Sequence, residues 1–453
     1  MRVFLSNLGC KLNQAELEAL GRQFVDAGYS VAPALAEADL HVVNTCTVTH
    51  AAARDSRKLA RRGRRLNPHL KTVLTGCYVT AEPEEAAALA GVDLVVANRD
   101  KDELVGRVRG AFEDAVREVT APLDIPYVPL EFGNSRALVK IEDGCDMNCA
   151  FCIIPITRGH QHSRDGDSIV REVESLVAKG FHEIVLTGVQ ISSYRAAVRR
   201  GERGGLFELV CRLLEETSVG RLRLTSIAPW QFDRRLLELL SSGVFSGVSS
   251  GRLCRHLHLS LQSGCDATLE RMGRPYTTGE FAALVDEIRN HDPAVQDVAL
   301  TTDVIVGFPG ETDSEFEESL AFCSSIGFAR IHAFPYSPRP GTEAATLPDP
   351  VRHEIKKKRM ARLLEVASQA ERHFLQSQIG LEAEVLWESQ RQGVWSGVTD
   401  NYVRAVRRTE ADLGGLASQE RLRSLRGNAI EVDSGWERLA RPASISFVEP
   451  AAG

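Results

Sequence analysis

Between Ala137 and Arg330 the chain alternates six short apolar runs with helical stretches, and no other feature of the sequence restricts its fold as strongly. The runs begin near Ala137, Glu183, Leu222, His256, Leu300 and Arg330, with helical segments such as Ser168–Lys179, Leu206–Glu216, Thr278–Asn290 and Thr312–Ile326 between them. Parallel strands joined by right-handed helical crossovers curl naturally toward a barrel. Six units predict a partial barrel, open on one side, with its site at the carboxyl ends of the strands.

The end of the first run carries Cys145-Asp-Met-Asn-Cys149-Ala-Phe-Cys152, a Cys-x3-Cys-x2-Cys spacing after the turn Asp143-Gly144. Three thiolates can hold three irons of a [4Fe-4S] cube and leave the fourth open to a small ligand. Zinc would want a fourth Cys or His, and packed thiols would suit a core better than a loop rich in Asp, Asn and Gly. Other strand ends carry Thr187-Gly188-Val-Gln190, Gln262-Ser-Gly264 and Gly307-Phe-Pro-Gly-Glu311. Each alone reads as a turn; together on one face they predict a pocket for a polar cofactor, since glycine lets a ligand approach and amides hydrogen-bond.

The first third alternates strand and helix as well, the pattern of a parallel α/β sheet. Three of its runs end alike: Val3-Phe-Leu-Ser-Asn-Leu-Gly9 before Cys10, His41-Val-Val-Asn-Thr45 before Cys46, and Thr72-Val-Leu-Thr-Gly76 before Cys77. Parallel strands open their carboxyl ends on one edge, so these three cysteines are expected to converge on a second cluster with an open iron. Buried small residues are the bland alternative. Cys211, Cys254, Cys265 and Cys323 have no ligand spacing and are read as structural.

At 453 residues two or three domains are expected. The net charge of -7 gives no global sign of a nucleic-acid partner, so any such surface is local. Arg54, Arg57, Lys58, Arg61, Arg62, Arg64 and Arg65 make one after Cys46, either an RNA-phosphate surface or simply a solvated face. No long apolar leader or membrane-spanning run is found, and ten cysteines without an export signal favour reduced thiols and the cytoplasm. Pro122 to Pro129 reads as a linker. After a long helix reaching about Gln378 come short alternating strands, Glu382–Trp387, Val394-Trp395, Tyr402–Arg407 and Ala429–Val432, with Trp387, Trp395 and Trp436. They predict a small OB-like β-barrel, in which Arg404, Arg407 and Arg408 beside aromatics are candidate RNA contacts.

The triad and sixfold barrel resemble the radical S-adenosylmethionine (SAM) enzymes, and the upstream cysteines resemble the methylthiotransferases among them. Gly9-Cys10-Lys11-Leu12-Asn13, Asn44-Thr45-Cys46-Thr47-Val48-Thr49, Cys152-Ile-Ile-Pro155, His256-Leu-His-Leu-Ser-Leu-Gln-Ser-Gly264 and Asp303-Val-Ile-Val-Gly-Phe-Pro-Gly-Glu311 are similar to the branch acting on tRNA N6-threonylcarbamoyladenosine. The isopentenyladenosine branch tends to read Gly-Cys-Gln-Met-Asn at the first cysteine, a pattern that Lys11 breaks; the branch acting on a ribosomal-protein aspartate fits less well. His162 stands where the family usually has Arg, Phe151 where it often has Tyr, and Gln190 where His is commoner.

The resemblance implies an α/β multidomain enzyme: a Rossmann-like methylthiotransferase domain over residues 1–120, a linker over 121–133, a partial (β/α)6 radical SAM barrel over 134–377, and an RNA-binding TRAM domain over 378–448. It implies two [4Fe-4S] clusters held by Cys145/Cys149/Cys152 and Cys10/Cys46/Cys77, and SAM bound near Phe151, Thr187, Gly188, Gln190, Gln262 and Gly307. The first cluster would cleave SAM to a 5′-deoxyadenosyl radical; the second would carry the sulfur, with a methyl group from a second SAM. The implied product is the 2-methylthio adenosine beside the anticodon. Implied partners are tRNA, an electron donor such as flavodoxin or ferredoxin, and a sulfur donor, with no membrane. An RNA-binding iron–sulfur redox protein and a zinc-bearing RNA module are the readings from other classes.

Overall fold

The computed structural model describes residues 1–112, 135–199, 202–241, 244–245, 248–249 and 251–432. The expected linker 121–133, Trp436 and the rest of the tail lie outside them.

Short β-branched runs in the first hundred residues form a five-stranded parallel sheet, in the order Ser30–Val31, Arg2–Asn7, Leu40–Thr45, Lys71–Gly76, Leu94–Val96. Leu40–Thr45 is buried along its whole length, as a central strand covered on both faces must be.

Six further parallel strands follow, in the spatial order Arg136–Lys140, Glu183–Thr187, Arg221–Leu224, His256–His258, Ala299–Val306, Arg330–Pro335. The two halves of this wall meet through parallel bridges Leu222–Leu253 and Ile227–Leu259. The expected strand starts agree to within a residue, and the helices Leu206–Glu216 and Thr278–Asn290 lie as expected. Alternate residues face opposite sides: Ala137, Val139, Ile184 and Leu186 join the outer core with the crossover helices. Leu138 and Val185 face inward, against Ala15 of the N-terminal helix Lys11–Asp26. That helix thus lines the lumen side of the first two strands. The third crossover departs from the repeat: its described residues form a 3-10 turn Pro229–Gln231, the short helix Leu236–Leu240 and a strand pair, Val244–Phe245 with Val248–Ser249.

A helix, His353–Ser377, leads to five strands that pair in a closed ring: Glu382–Arg391, Val394–Thr399, Arg404–Arg408, Ala429–Val432, Ala417–Arg426. The long strand Ala417–Arg426 was not foreseen. Its inward residues include Ser418 and Glu420, so hydrophobicity does not alternate along it.

Candidate active site

Cys10, Cys46 and Cys77 follow three neighbouring parallel strands, with Asn7 opposite Asn44 and Thr45 opposite Gly76. Gly9 and Gly76 turn the chain at φ of +106° and +102°. A β-carbon on Gly9 would stand 2.8 Å from Cβ and 2.9 Å from Sγ of Cys46, so only glycine lets these two cysteines approach. Asn13, in the first turn of the next helix, staples the edge. Its Nδ2 donates to Leu8 O at 2.8 Å and Thr45 O at 3.0 Å, and its Oδ1 accepts from the Arg158 guanidinium at 2.6 Å. Asn98 Nδ2 donates to Cys77 Sγ at 3.6 Å.

These thiols feel one another. Burial pushes Cys46 up to about 12, and charge on Cys77 or Cys10 would raise it further. Crowding by protein raises Cys10, although it stays open on one side, and Arg158 partly offsets the rise.

The second trio sits on the loop after Arg136–Lys140. Its backbone is tied by Cys145 N–H to Gly159 O (3.1 Å), Ala150 N–H to Met272 O (3.0 Å) and Ala344 N–H to Ala150 O (2.7 Å). Burial pushes Cys152 up to about 12. Arg274 donates to Cys149 Sγ at 3.2 Å, while its guanidinium lies 4.6 Å over the Trp230 ring, which stacks on Tyr276. Each trio thus has one arginine beside it, Arg158 buried and Arg274 partly buried, and the motif reading had given neither a role. Arg158 and Arg274 stand outside any hydrophobic period, so only a contact could reveal them.

Among the described residues, the sulfurs of neither trio fall mutually within 4.8 Å. Ligands on one zinc, at about 2.3 Å, would lie roughly 3.8 Å apart.

Members of both trios line one cavity of about 490 Å³: Cys10 and Cys46 from the first, and Cys152, next to Phe151, from the second. Val48, Ile153, Ile305 and Phe334 make it apolar; Gln262 and Asp303 supply polar groups. Gln262 is held in the left-handed region at φ +68° by its N–H on Asp303 O and its carbonyl on Ile305 N–H, both at 2.8 Å. Non-glycine residues held in this region cluster at active sites and ligand clamps.

The remaining expected cofactor residues lie apart from this cavity. Thr187 is buried, and its carbonyl accepts from Ile141 N–H. Gly188 leaves room for Glu142, whose Oε1 a β-carbon would approach to 2.3 Å. The same oxygen accepts from Gln190 N–H at 2.5 Å, and Gln190 Nε2 donates to Gln231. Glu142 was missed in the sequence: it is buried, its carboxyl is pushed up to about 7 by burial, and its Oε2 has no hydrogen-bond partner among the described residues. Gly307, at φ +73°, packs against Lys356, whose Cγ a β-carbon would approach to 2.4 Å.

Residues 2–97 match the uncharacterized protein family UPF0004 and residues 139–323 the radical SAM superfamily. The chain is 35% identical, over 91% of its length and 92% of the relative's, to the threonylcarbamoyladenosine tRNA methylthiotransferase MtaB of Bacillus subtilis (strain 168). It is also 35% identical to MtaB of Aquifex aeolicus (strain VF5), over 92% of this chain and 99% of that one. The chain belongs to the radical SAM methylthiotransferase family. A sister member, the tRNA-2-methylthio-N(6)-dimethylallyladenosine synthase of Neorickettsia sennetsu (strain ATCC VR-367 / Miyayama), is 30% identical over 90% of this chain and 88% of that one. Among solved structures, the radical SAM methyltransferase TsrM from Kitasatospora setae superposes with a TM-score of 0.52 at 16% identity, covering 76% of this chain and 77% of that one, a likeness of fold.

In this family member the basic helix His50–Leu66 begins at the cavity rim, where Val48, Thr49 and Ala52 line the opening. Arg54, Lys58 and Arg61 face solvent, while Arg57 is half-buried beside Glu85 and the Tyr78 ring. Arg404 is exposed on the C-terminal ring. Arg407 corrects the expectation of a phosphate contact: it is buried and donates to Glu420 Oε1 at 2.9 Å, so its charge is already matched inside the ring. Trp387 and Trp395 are core residues, and Trp387 donates to Ser418 Oγ at 2.8 Å.

Proposed function

We propose that the chain methylthiolates carbon 2 of N6-threonylcarbamoyladenosine at position 37 of tRNA, using SAM and two [4Fe-4S] clusters. The observation that carries this reading is the shared cavity: a cluster on Cys145, Cys149 and Cys152 and one on Cys10, Cys46 and Cys77 would face each other across a space sized for a nucleoside. The substrate branch rests on the MtaB relatives, which match at 35% identity.

Bound at these sites, the clusters would supply the electron for reductive SAM cleavage and the sulfur for transfer. The residues of the chain do the rest. Arg158 and Arg274 offset thiolate charge at their respective trios. The apolar walls exclude water from a reaction at an unactivated carbon, and Phe151 and Gln262 limit where a ligand can lie. Glu142, with a free carboxylate oxygen below Gln190, is suited to a SAM amino group. Helix His50–Leu66 would lead RNA to the rim, and the C-terminal ring is assigned as a TRAM domain with Arg404 and Arg408 outward. The domain limits 1–120, 134–377 and 378–448 go with this reading, as do a cytoplasmic setting, a separate electron donor and a sulfur donor. No described helix is long and apolar enough to cross a membrane.

Nucleoside analysis of tRNA from a deletion strain tests the function. Loss of 2-methylthio-N6-threonylcarbamoyladenosine supports it; an unchanged level of that nucleoside removes it. Anaerobic reconstitution should give about eight irons per chain, falling to about four when Cys10, Cys46 and Cys77 are replaced by Ala.

A further inference from the structure

The two cysteine trios follow strands of different sheets, and among the described residues no strand pairing joins those sheets. Packing and side-chain contacts therefore set how far apart the two cysteine loops stand. The short helix Ile154–Arg158, which follows Cys152, packs against the helix Cys77–Ala81, which begins on a cysteine of the other trio. Asn98 bridges them, its Nδ2 donating to Thr157 O at 2.9 Å and to Cys77 Sγ at 3.6 Å.

Arg158 ends the first of these helices, and its side chain is buried in the seam. Its Nη1 donates to Asp143 Oδ1 and Oδ2 at 2.8 and 3.0 Å and to Glu16 Oε1 at 2.8 Å. Its Nη2 donates to Glu16 Oε2 at 3.2 Å and to Asn13 Oδ1 at 2.6 Å. Each partner is tied to a cysteine loop. Asp143 Oδ1 accepts from Gly144 N–H at 2.8 Å, directly before Cys145. Asn13 and Glu16 lie in the first two turns of the helix that starts after Cys10. Asn44, two residues before Cys46, donates from Nδ2 to Asn13 O at 2.6 Å. Lys101 donates to Glu16 Oε2 at 2.5 Å, and Lys140 to Glu16 Oε1 and Asp143 Oδ2, both at 3.3 Å.

Offsetting thiolate charge would need only a cation. Holding a carboxylate from each unit at once needs the planar fork of a guanidinium, which a lysine ammonium cannot reproduce. Arg158 does not line the cavity, so it acts through the loops and not on a ligand. In the proposed reaction one nucleoside must meet the radical source on one side and the sulfur on the other, and misplacement by about 1 Å can cost about a hundredfold in rate.

We propose that Arg158 is a positioning residue that fixes the separation of the two clusters, by clamping Asp143 of the Cys145 loop to Glu16 and Asn13 beside Cys10. The clamp rests on the two-cluster reading above. A second link across the same seam supplies a control. Arg22 Nη2 donates to Glu172 Oε1 at 2.5 Å, and Glu172 Oε2 accepts from Arg164 Nη1 at 2.7 Å. Among the described residues, neither Arg22 nor Glu172 bonds Arg158, Asp143, Glu16 or Asn13.

The test uses the full chain, with and without its clusters. Arg158→Met and Arg158→Lys should each still reconstitute about eight irons, but the EPR spin coupling between the two reduced clusters should weaken. The 5′-deoxyadenosine formed per methylthiolated nucleoside should rise about tenfold or more. In the cluster-free chain, amide hydrogen exchange should quicken both at residues 8–13 and at residues 143–152. Arg22→Gln should change none of these. Asp143→Asn, which keeps its shape and one acceptor oxygen, should move them in the same direction and serves where an Arg158 variant fails to fold. Wild-type coupling and product ratio in Arg158→Lys would overturn the clamp and leave a charge role alone. Faster exchange or iron loss confined to one loop would also overturn it, as would the same changes in Arg22→Gln. Each of these results leaves the proposed function standing. Two clusters without any spin coupling in wild-type protein would remove the facing clusters of the proposed function, and the clamp with them.

Discussion

At Gly144 the chain turns with φ of +73°, and a β-carbon there would stand 2.1 Å from the carbonyl oxygen of His160. The obstacle is backbone, which cannot swing away as a side chain might. Gly144→Ala should therefore displace the loop that begins at Cys145. The expected result is loss of about four irons with the other cluster retained, and a stability decrease of about 1–3 kcal/mol in urea unfolding. The Asp143-Gly144 turn was legible in the sequence as a turn; the reason it must be glycine is a carbonyl sixteen residues on. The same holds for Arg158 and Arg274. Nothing in their local sequence marks them, because their roles come from sulfurs that only folding brings near.

Helix His50–Leu66 separates its two jobs by face. Ala53, Ser56, Ala60 and Gly63 recur every three or four residues and are buried, and a β-carbon at Gly63 would lie 2.4 Å from Leu70 Cδ2. Small residues bring this helix close to its sheet, and the opposite face is left to Arg54, Lys58, Arg61 and Arg65. Replacing Arg54, Lys58 and Arg61 together by Gln should leave the melting temperature nearly unchanged, since the three side chains point to solvent. It should weaken tRNA binding and reduce the salt slope of log K by about 2–3, measured by filter binding across salt concentrations. Strand Ala417–Arg426 is the opposite case. Its inward Glu420 pairs with Arg407 and its Ser418 with Trp387, so a buried face is built from polar partners and hides from any hydrophobic pattern.

On the scale of the whole molecule, the C-terminal ring docks on the amino-terminal end of the large barrel, opposite the cysteine loop. Arg223 grips Glu183 with two hydrogen bonds of 2.7 and 3.0 Å and also donates to Thr399 O and Asp400 O. Arg221 pairs with Glu183 at 2.8 Å and donates to Val398 O; Arg255 pairs with Asp400 at 2.6 Å. Although burial alone would raise the Glu183 carboxyl, Arg223 and Arg221 hold it far below the usual carboxylate range. A depressed carboxylate contributes stability that is full above its unfolded value, about 4.3, and is lost as pH falls toward the folded value. Glu183→Gln should cost about 3–5 kcal/mol at pH 7 by leaving buried arginines uncompensated. It should also flatten the decline of the urea midpoint below about pH 4.5.

Local pattern determined much of this protein. Strand starts, two crossover helices and the cysteine-bearing turns follow from periodicity and glycine placement, because they depend on neighbours in the chain. Tertiary structure decided what depends on distant partners. It put cysteines of both trios on one cavity and laid helix Lys11–Asp26 against the lumen side of the barrel strands. It also buried Arg407 against Glu420, which composition had suggested was free for RNA. A charge read from sequence has no partner assigned to it, and whether it meets solvent, substrate or a buried carboxylate is settled only when separate strands are brought side by side.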